Sequence, residues 1–313
     1  MRDHITLSPL AFGCASVMGK VAKPQAMRAM QAAFDVGVTH FDVARSYGFG
    51  RAEEVVGSFM KGRRDKVTVA SKFGVVAPTL SLRTKALIPI GRVLTRMLPQ
   101  LKARMKKKSG HLLAQRNFEL AYARQCLDQS LAALRTDYLD IYLLHEPDAA
   151  LLHRDELRTF MEDSVRAGKI RRWGCAYQSV NDYAWASALG GDVIQFEGNI
   201  QTLSACAALL SDTRQRIVMR PFGGGFEDSK PALQTMLQDM ALMETMHEMG
   251  ASLADVALAL SHQLAGKSGT VLCSMFSPAH IKKNANSMRL VSQEAPMAHI
   301  LGKLMSPVAP VGR

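Results

Sequence analysis

The chain has 313 residues, 48% of them hydrophobic and 21% charged, a balance that can bury a large core and excludes disorder. No apolar run approaches the roughly 18 residues that span a bilayer, and Arg2, Asp3 and His4 at the start give no signal-peptide core, so a cytoplasmic protein is expected. The net charge of +12 suggests nucleic acid until it is located: residues 80–116 carry ten basic and no acidic side chains, and subtracting these ten leaves +2 for everything else.

From Leu10 on, short apolar runs alternate with longer stretches of helical period, the pattern of repeated β-α units closing a parallel sheet. Strands are predicted at 10–13, 39–42, 67–71, 139–144, 171–176, 193–196, 217–220 and 270–273. Eight such units fit an α/β fold, a (β/α)8 TIM barrel, as a single domain over 1–313. Between them, Met27, Met30 and Phe34, then Leu127, Leu131 and Leu134, then Leu157, Phe160, Met161 and Val165 recur at helical spacing. Gly37, Gly168 and Gly250 stand where helices would stop in a left-handed residue.

Two segments depart from a minimal barrel. Residues 80–116, after the third strand, read as a basic amphipathic insertion, a helix broken at Pro99. Near the end, 277–290 has helical period, and a C-terminal tail over 285–313 finishes in a proline-containing stretch on the surface. Cys14, Cys126, Cys175, Cys206 and Cys273 are odd in number and widely spaced, which suits reduced core thiols better than disulfides or a zinc cage.

In such a barrel, chemistry belongs just past the C-terminal ends of the strands. There the chain has Asp42 and Tyr47 in FDVARSYG, Lys72 in VTVASKFG and His145 in YLLHEPD. A tyrosine with a pKa near ~10 is a poor proton donor at neutral pH unless a cation helps. Lys72 would stabilise the developing phenolate of Tyr47, Asp42 would hold the ammonium, and His145 would orient or polarise a substrate carbonyl. Singly, each residue reads as a surface ion pair or a packing group; the joint spacing favours catalysis.

Taken together, GVTHFDVARSYG, ASKFG, DYLDIYLLHEPD and VRAGKIRRWG resemble the successive landmarks of the aldo-keto reductase family, over about residues 10–290. The resemblance implies direct hydride transfer from NADPH, less often NADH, to an aldehyde or ketone without a metal. Asp42, Tyr47, Lys72 and His145 match that family's catalytic group, with the tyrosine as general acid. Gln195 matches the residue that binds the nicotinamide carboxamide, and Asn199 follows it.

Other cofactor positions depart from the family pattern. Ala176 and Tyr177 replace the usual Ser-Asn after the fifth strand, and Tyr177 would reach the same region. VMRPFGGG puts Met219, Arg220 and Pro221 where the family often has a stacking aromatic, while the run from Gly223 to Gly225 would suit a pyrophosphate. Ser274, His280 and Asn284 match the adenine end, and Lys282 and Lys283 would suit a 2′-phosphate, so NADPH is expected ahead of NADH.

Several motif-like features are set aside. His145-Glu146 begins like the zinc motif H-E-x-x-H, but position 149 is alanine. GFGRAEE resembles a dinucleotide-binding glycine motif, yet Glu53 stands where its last glycine belongs, so it reads as the loop entering the second helix. His153 and His262 read as packing or surface histidines, and the eighteen methionines as core filler. The basic insertion reads first as a flap over the barrel mouth; its apolar stripe would also suit an anionic membrane surface or a partner. No aromatic interleaves its cations, so nucleic acid is not expected.

The expected function is NAD(P)H-dependent reduction of a small carbonyl substrate, or oxidation of the matching alcohol or lactol. The alternatives are a cofactor-binding sensor or interaction protein on the same barrel, and a reductase repurposed for an imine or other unusual substrate.

Overall fold

The computed structural model describes residues 5–77, 115–183, 185–236, 244, 246–248 and 250–291. The basic insertion, apart from Gln115 and Arg116, and the tail past residue 291 lie outside the described residues. Among the described residues, eight parallel strands close into one barrel in chain order: β1 (Leu10–Gly13), β2 (His40–Asp42), β3 (Thr68–Phe73), β4 (Leu139–His145), β5 (Ile170–Ala176), β6 (Val193–Glu197), β7 (Gln215–Met219) and β8 (Thr270–Cys273). β1 closes the ring by pairing with both β2 and β8.

The helices that cover this barrel are α1 (Lys23–Asp35), α2 (Ala52–Met60), α3 (Leu120–Leu134), α4 (Asp155–Arg166), α5 (Leu203–Leu210), α6 (Phe226–Met236), α7 (Leu253–Ala265) and α8 (Pro278–Val291). Their termini follow local chemistry. Pro24 sits in the first turn of α1, where its missing N–H costs nothing. Ser252 and Asp255 form a reciprocal capping box on α7, with the Ser252 amide donating to Asp255 at 2.7 Å. Gly37 and Gly168 follow α1 and α4 at φ 92° and 73°, as predicted. Between β5 and β6 the described crossover has two short 3₁₀ turns, Val180–Asp182 and Ala186–Leu189.

The predicted strands shift at their ends by at most two residues. Residues 217–220 become Gln215–Met219, because Gln215 and Arg216 are polar yet paired in the sheet. The Gln215 side chain is buried and donates to the carbonyls of Ile5 and Ser268, both at 2.6 Å, so an interior polar group is fully used at the barrel floor. Arg220 falls outside the strand at φ 56°.

Strand alternation divides the core in two. Ala70, Ile141, Leu143, Ala176, Val193 and Ile217 pack together with Ile5, Leu7 and Leu272 inside the barrel. Their strand neighbours, such as Phe41, Val69, Phe73, Tyr142 and Phe196, pack outward in the much larger cluster under the helices. All five cysteines are buried and unbridged.

His40 is a polar exception, fully buried on β2 two residues before Asp42. Its Nδ1 lies 2.9 Å from the Thr68 hydroxyl, and its Nε2 has no partner among the described residues. Burial, the main cause, pushes this imidazole down from 6.5 to about 4. In the unfolded chain the histidine protonates near pH ~6.5. The native state therefore binds fewer protons than the unfolded state between pH 6.5 and about 4, and stability falls as pH drops through that window. His145, pushed the same way, adds to the loss. Each proton contributes a slope of about 1.4 kcal/mol per pH unit. A His40→Asn protein is expected to show a shallower decline of its urea-unfolding free energy between pH 6.5 and 4, and a decline parallel to the parent would refute this assignment.

Candidate active site

The C-terminal ends of adjacent strands deliver the predicted residues. Asp42 ends β2, Lys72 is the fifth residue of β3, and His145 ends β4, each in phase with the interior-facing set. Tyr47 opens a 3₁₀ turn, Tyr47–Gly50, between β2 and α2. Lys72 and Asp42 are each about 1% exposed. The Lys72 ammonium donates to Asp42 Oδ1 and also to the Val43 carbonyl at 3.3 Å. Gln195 of β6 donates from Nε2 to Asp42 Oδ2 at 2.9 Å, so both carboxylate oxygens are engaged.

Tyr47 lies over this pair. Lys72 Nζ is 5.2 Å from the centre of its ring, close enough for the ammonium to act on the phenol. An ammonium has only donors, so toward Lys72 the phenol oxygen can serve only as an acceptor. The His145 ring stands edge-on to Tyr47, centroids 5.6 Å apart at 83°. His145 Nδ1 has no partner among the described residues.

Electrostatics set the protonation states. Burial alone would lower Lys72, but Asp42 and Tyr47 offset it and leave the amine above its ordinary value, hence charged. Burial raises Tyr47, and the opposing pull of Lys72 only reduces the rise. Desolvation outweighs the cation for the resting phenol, so Tyr47 stays protonated at neutral pH. His145 is driven well below 6.5 by burial, then by the positive charges of Lys72 and Arg116, so it is a neutral imidazole. Arg116 stands beside the mouth, paired with Glu146 at 3.1 Å.

The predicted cofactor positions divide. Ala176 pairs in register with Gln195 and His145 and faces inward with them. Tyr177, one residue on, alternates to the outer layer: it is fully buried, its ring meets Trp185 edge-on at 5.4 Å, and its hydroxyl donates to the Ala186 carbonyl at 3.0 Å. The expectation that Tyr177 reaches the mouth is thus corrected, because strand parity turns it away. Met219 ends β7. Arg220 is ion-paired with Glu197 at 2.8 Å, and the buried Asn199 donates to both Glu197 and the Arg220 carbonyl at 3.0 Å, tying the β6 and β7 loops together.

From the buried Pro221 the chain turns through Gly223, at φ 58°, and Gly225 into α6. There the buried Ser229 hydroxyl, without a hydrogen-bond partner among the described residues, stands against Gly223. Ser274 follows β8 with its hydroxyl 3.4 Å from the Gly13 carbonyl. His280, Lys283 and Asn284 lie on α8, and Lys282 and Lys283 line a cleft with Gly250, Asp255 and Ser287.

The sequence reading missed a buried ion pair behind Tyr47, between Arg45 and Glu53. Its signal was a carboxylate in the buried arc of α2, beside Ala52, Val55 and Val56.

The model of the Aldo/keto reductase family matches residues 9–302. The chain belongs to this family. Among curated relatives, the aldo-keto reductase YhdN of Bacillus subtilis is 29% identical over 180 residues, 57% of this chain and 44% of that protein. The methylglyoxal reductase YeaE of Escherichia coli is 31% identical over 146 residues, 47% of this chain and 37% of that one. The chain thus spans less than half the length of these two relatives. A Klebsiella pneumoniae aldo-keto reductase, solved in complex with NADPH, superposes with a TM-score of 0.63 at 22% identity, covering 97% of this chain and 93% of that one, a likeness of fold. No helix among the described residues of this aldo/keto reductase is long and apolar enough to cross a membrane.

The Asp42–Lys72 pair makes a thermodynamic prediction for this member of the family. Asp42→Asn or Lys72→Met alone leaves a buried charge unpaired, and each is expected to cost about 3–5 kcal/mol in denaturant unfolding. The double variant should lose clearly less than the sum of the two. Additive losses would contradict a direct pair.

Proposed function

We propose that this chain is a single-domain NADPH-dependent reductase of aldehydes or ketones that also oxidises the corresponding alcohol or lactol in reverse. The observation that carries this reading is the Tyr47 phenol held between the Lys72 amine, 5.2 Å from its ring centre, and the His145 ring, edge-on at 5.6 Å. The single-domain reading rests on one closed barrel that uses strands from residue 10 to residue 273.

The residues present fit a dinucleotide. Gln195, buried and oriented by Asp42, would hold the nicotinamide carboxamide, with Ala176, Met219 and Arg220 around it. The turn from Pro221 through Gly223 and Gly225, with the unpartnered Ser229 hydroxyl against it, would take the pyrophosphate. Ser274, His280, Lys283 and Asn284 would take the adenosine end. Lys282 and Lys283 at the α8 cleft favour NADPH over NADH. When bound, the reduced nicotinamide supplies the hydride.

The chain's own residues handle the proton. His145 donates a hydrogen bond to the substrate carbonyl oxygen and places it against Tyr47. Tyr47 transfers its proton to that oxygen as negative charge builds there. Lys72 stabilises the phenolate left behind, and Asp42 with Gln195 keeps the ammonium from moving toward the new charge. In reverse, the phenolate accepts the alcohol proton. Because Tyr47 titrates above 10.0, reduction should hold steady through neutral pH and decline only in alkali, whereas oxidation should climb with pH.

Tyr47→Phe removes the proton and little else. Carbonyl reduction, followed by NADPH consumption with a panel of aldehydes and ketones, is expected to fall on the order of a thousandfold. NADPH binding, followed by fluorescence titration, should stay within about twofold because the phenol is assigned no part in holding the cofactor. Undiminished reduction by the variant would refute the reading.

A further inference from the structure

The buried charge behind Tyr47 is unused by the proton-transfer scheme, and its connections are specific. Glu53 is 1% exposed on α2. One carboxylate oxygen takes the Arg45 guanidinium; the other accepts from the Ser71 hydroxyl at 2.6 Å. Ser71 immediately precedes Lys72 on β3. Arg45 also donates to the Gly50 carbonyl at 2.6 Å, at the far end of the Tyr47 turn, and its backbone amide donates to the Lys72 carbonyl at 3.1 Å.

That turn does not hold its shape unaided. Gly48 and Phe49 are both left-handed, at φ 57° and 59°. For Phe49, which has a Cβ, this conformation is disfavoured. A side chain at Gly48 would place its Cβ 2.4 Å from the Val17 carbonyl oxygen, so the β1 loop presses on the turn from the front. Arg45 and Glu53 brace it from behind. Among the described residues, Glu53 bonds both the segment that carries Tyr47 and the strand position next to Lys72.

We propose that Glu53 is a positioning residue which, by clamping Arg45 and Ser71 together, sets the separation between the Tyr47 hydroxyl and the Lys72 amine. It touches neither substrate nor cofactor and acts only through that spacing. The inference rests on the reading of Tyr47 as the proton donor.

The sign of one measurement separates positioning from a general charge effect. The charged and titratable groups acting on the phenol include Lys72, Asp42 and Glu146, with the His145 ring edge-on to it, while the Glu53 carboxylate is bonded to Arg45 and Ser71. Removing a remote negative charge would, through space, make the phenol easier to ionise. Relaxing Tyr47 away from Lys72 would make it harder.

The test uses the full chain and its Glu53→Gln and Ser71→Ala variants. Tyr47 is titrated by ultraviolet difference spectroscopy against the same protein carrying Tyr47→Phe. The phenol is expected to ionise at higher pH in Glu53→Gln, and to a smaller extent in Ser71→Ala, which keeps the Arg45–Glu53 pair and guards against a first variant that does not fold. With NADPH and a nitrobenzaldehyde, kcat should fall on the order of a hundredfold in Glu53→Gln, as for a small misplacement of a reacting group, with KM and NADPH affinity within about twofold. A phenol titration that stays put or moves to lower pH in the folded variants overturns the proposal, whatever the rate does. If the parent chain reduces no carbonyl, the functional reading fails, while the phenol titration still decides the positioning.

Discussion

Two opposite charges lie sealed from solvent where β2 and β3 end, and the rest of the mouth is arranged around them. Taking an ion out of water to that depth costs several kcal/mol, and here each of Asp42 and Lys72 meets the other, with Gln195 on the second carboxylate oxygen. The ammonium then has a direction as well as a charge: one donor is committed to Asp42, another points at the Val43 carbonyl, and a third is available to Tyr47.

The same burial that makes the pair costly determines how the neighbours behave. It keeps Tyr47 protonated and His145 uncharged at neutral pH, the states that the proposed proton transfer requires. A cation beside Tyr47 does not convert the resting phenol into a strong acid. In the proposed reaction its effect belongs to the moment of transfer, when a fixed ammonium stabilises the forming phenolate. The brace through Arg45, Glu53 and Ser71 fits this requirement, since electrostatic stabilisation at short range depends on distance.

Barrel closure explains why residues more than a hundred positions apart meet. Parallel strands all end on one face, so one interior-facing side chain near each C-terminal end joins a common layer. Asp42, Lys72, His145, Ala176 and Gln195 share that parity. Tyr177 differs from Ala176 by one residue and is lost to the helical layer, where it packs on Trp185 and bonds to Ala186. A sequence match that ignores parity places both at the site; the pleat admits only one.

The amino-acid order alone determined the alternation of strands and helices, and with it the barrel. Apolar period survives in one dimension, and the strands at 10–13 and 270–273 appear where the pattern puts them. The four catalytic candidates were legible for the same reason, because each follows a strand closely. Tertiary structure decided what depends on environment: that Gln215 belongs in a strand despite its polarity, that Tyr177 faces outward, and that burial overrides Lys72 in setting the phenol's ionisation. It also decided that Glu53 is buried and bonded to two elements brought together only by folding. Hydrophobic period is a local property of the chain, whereas desolvation and hydrogen-bond partnership exist only between segments already packed.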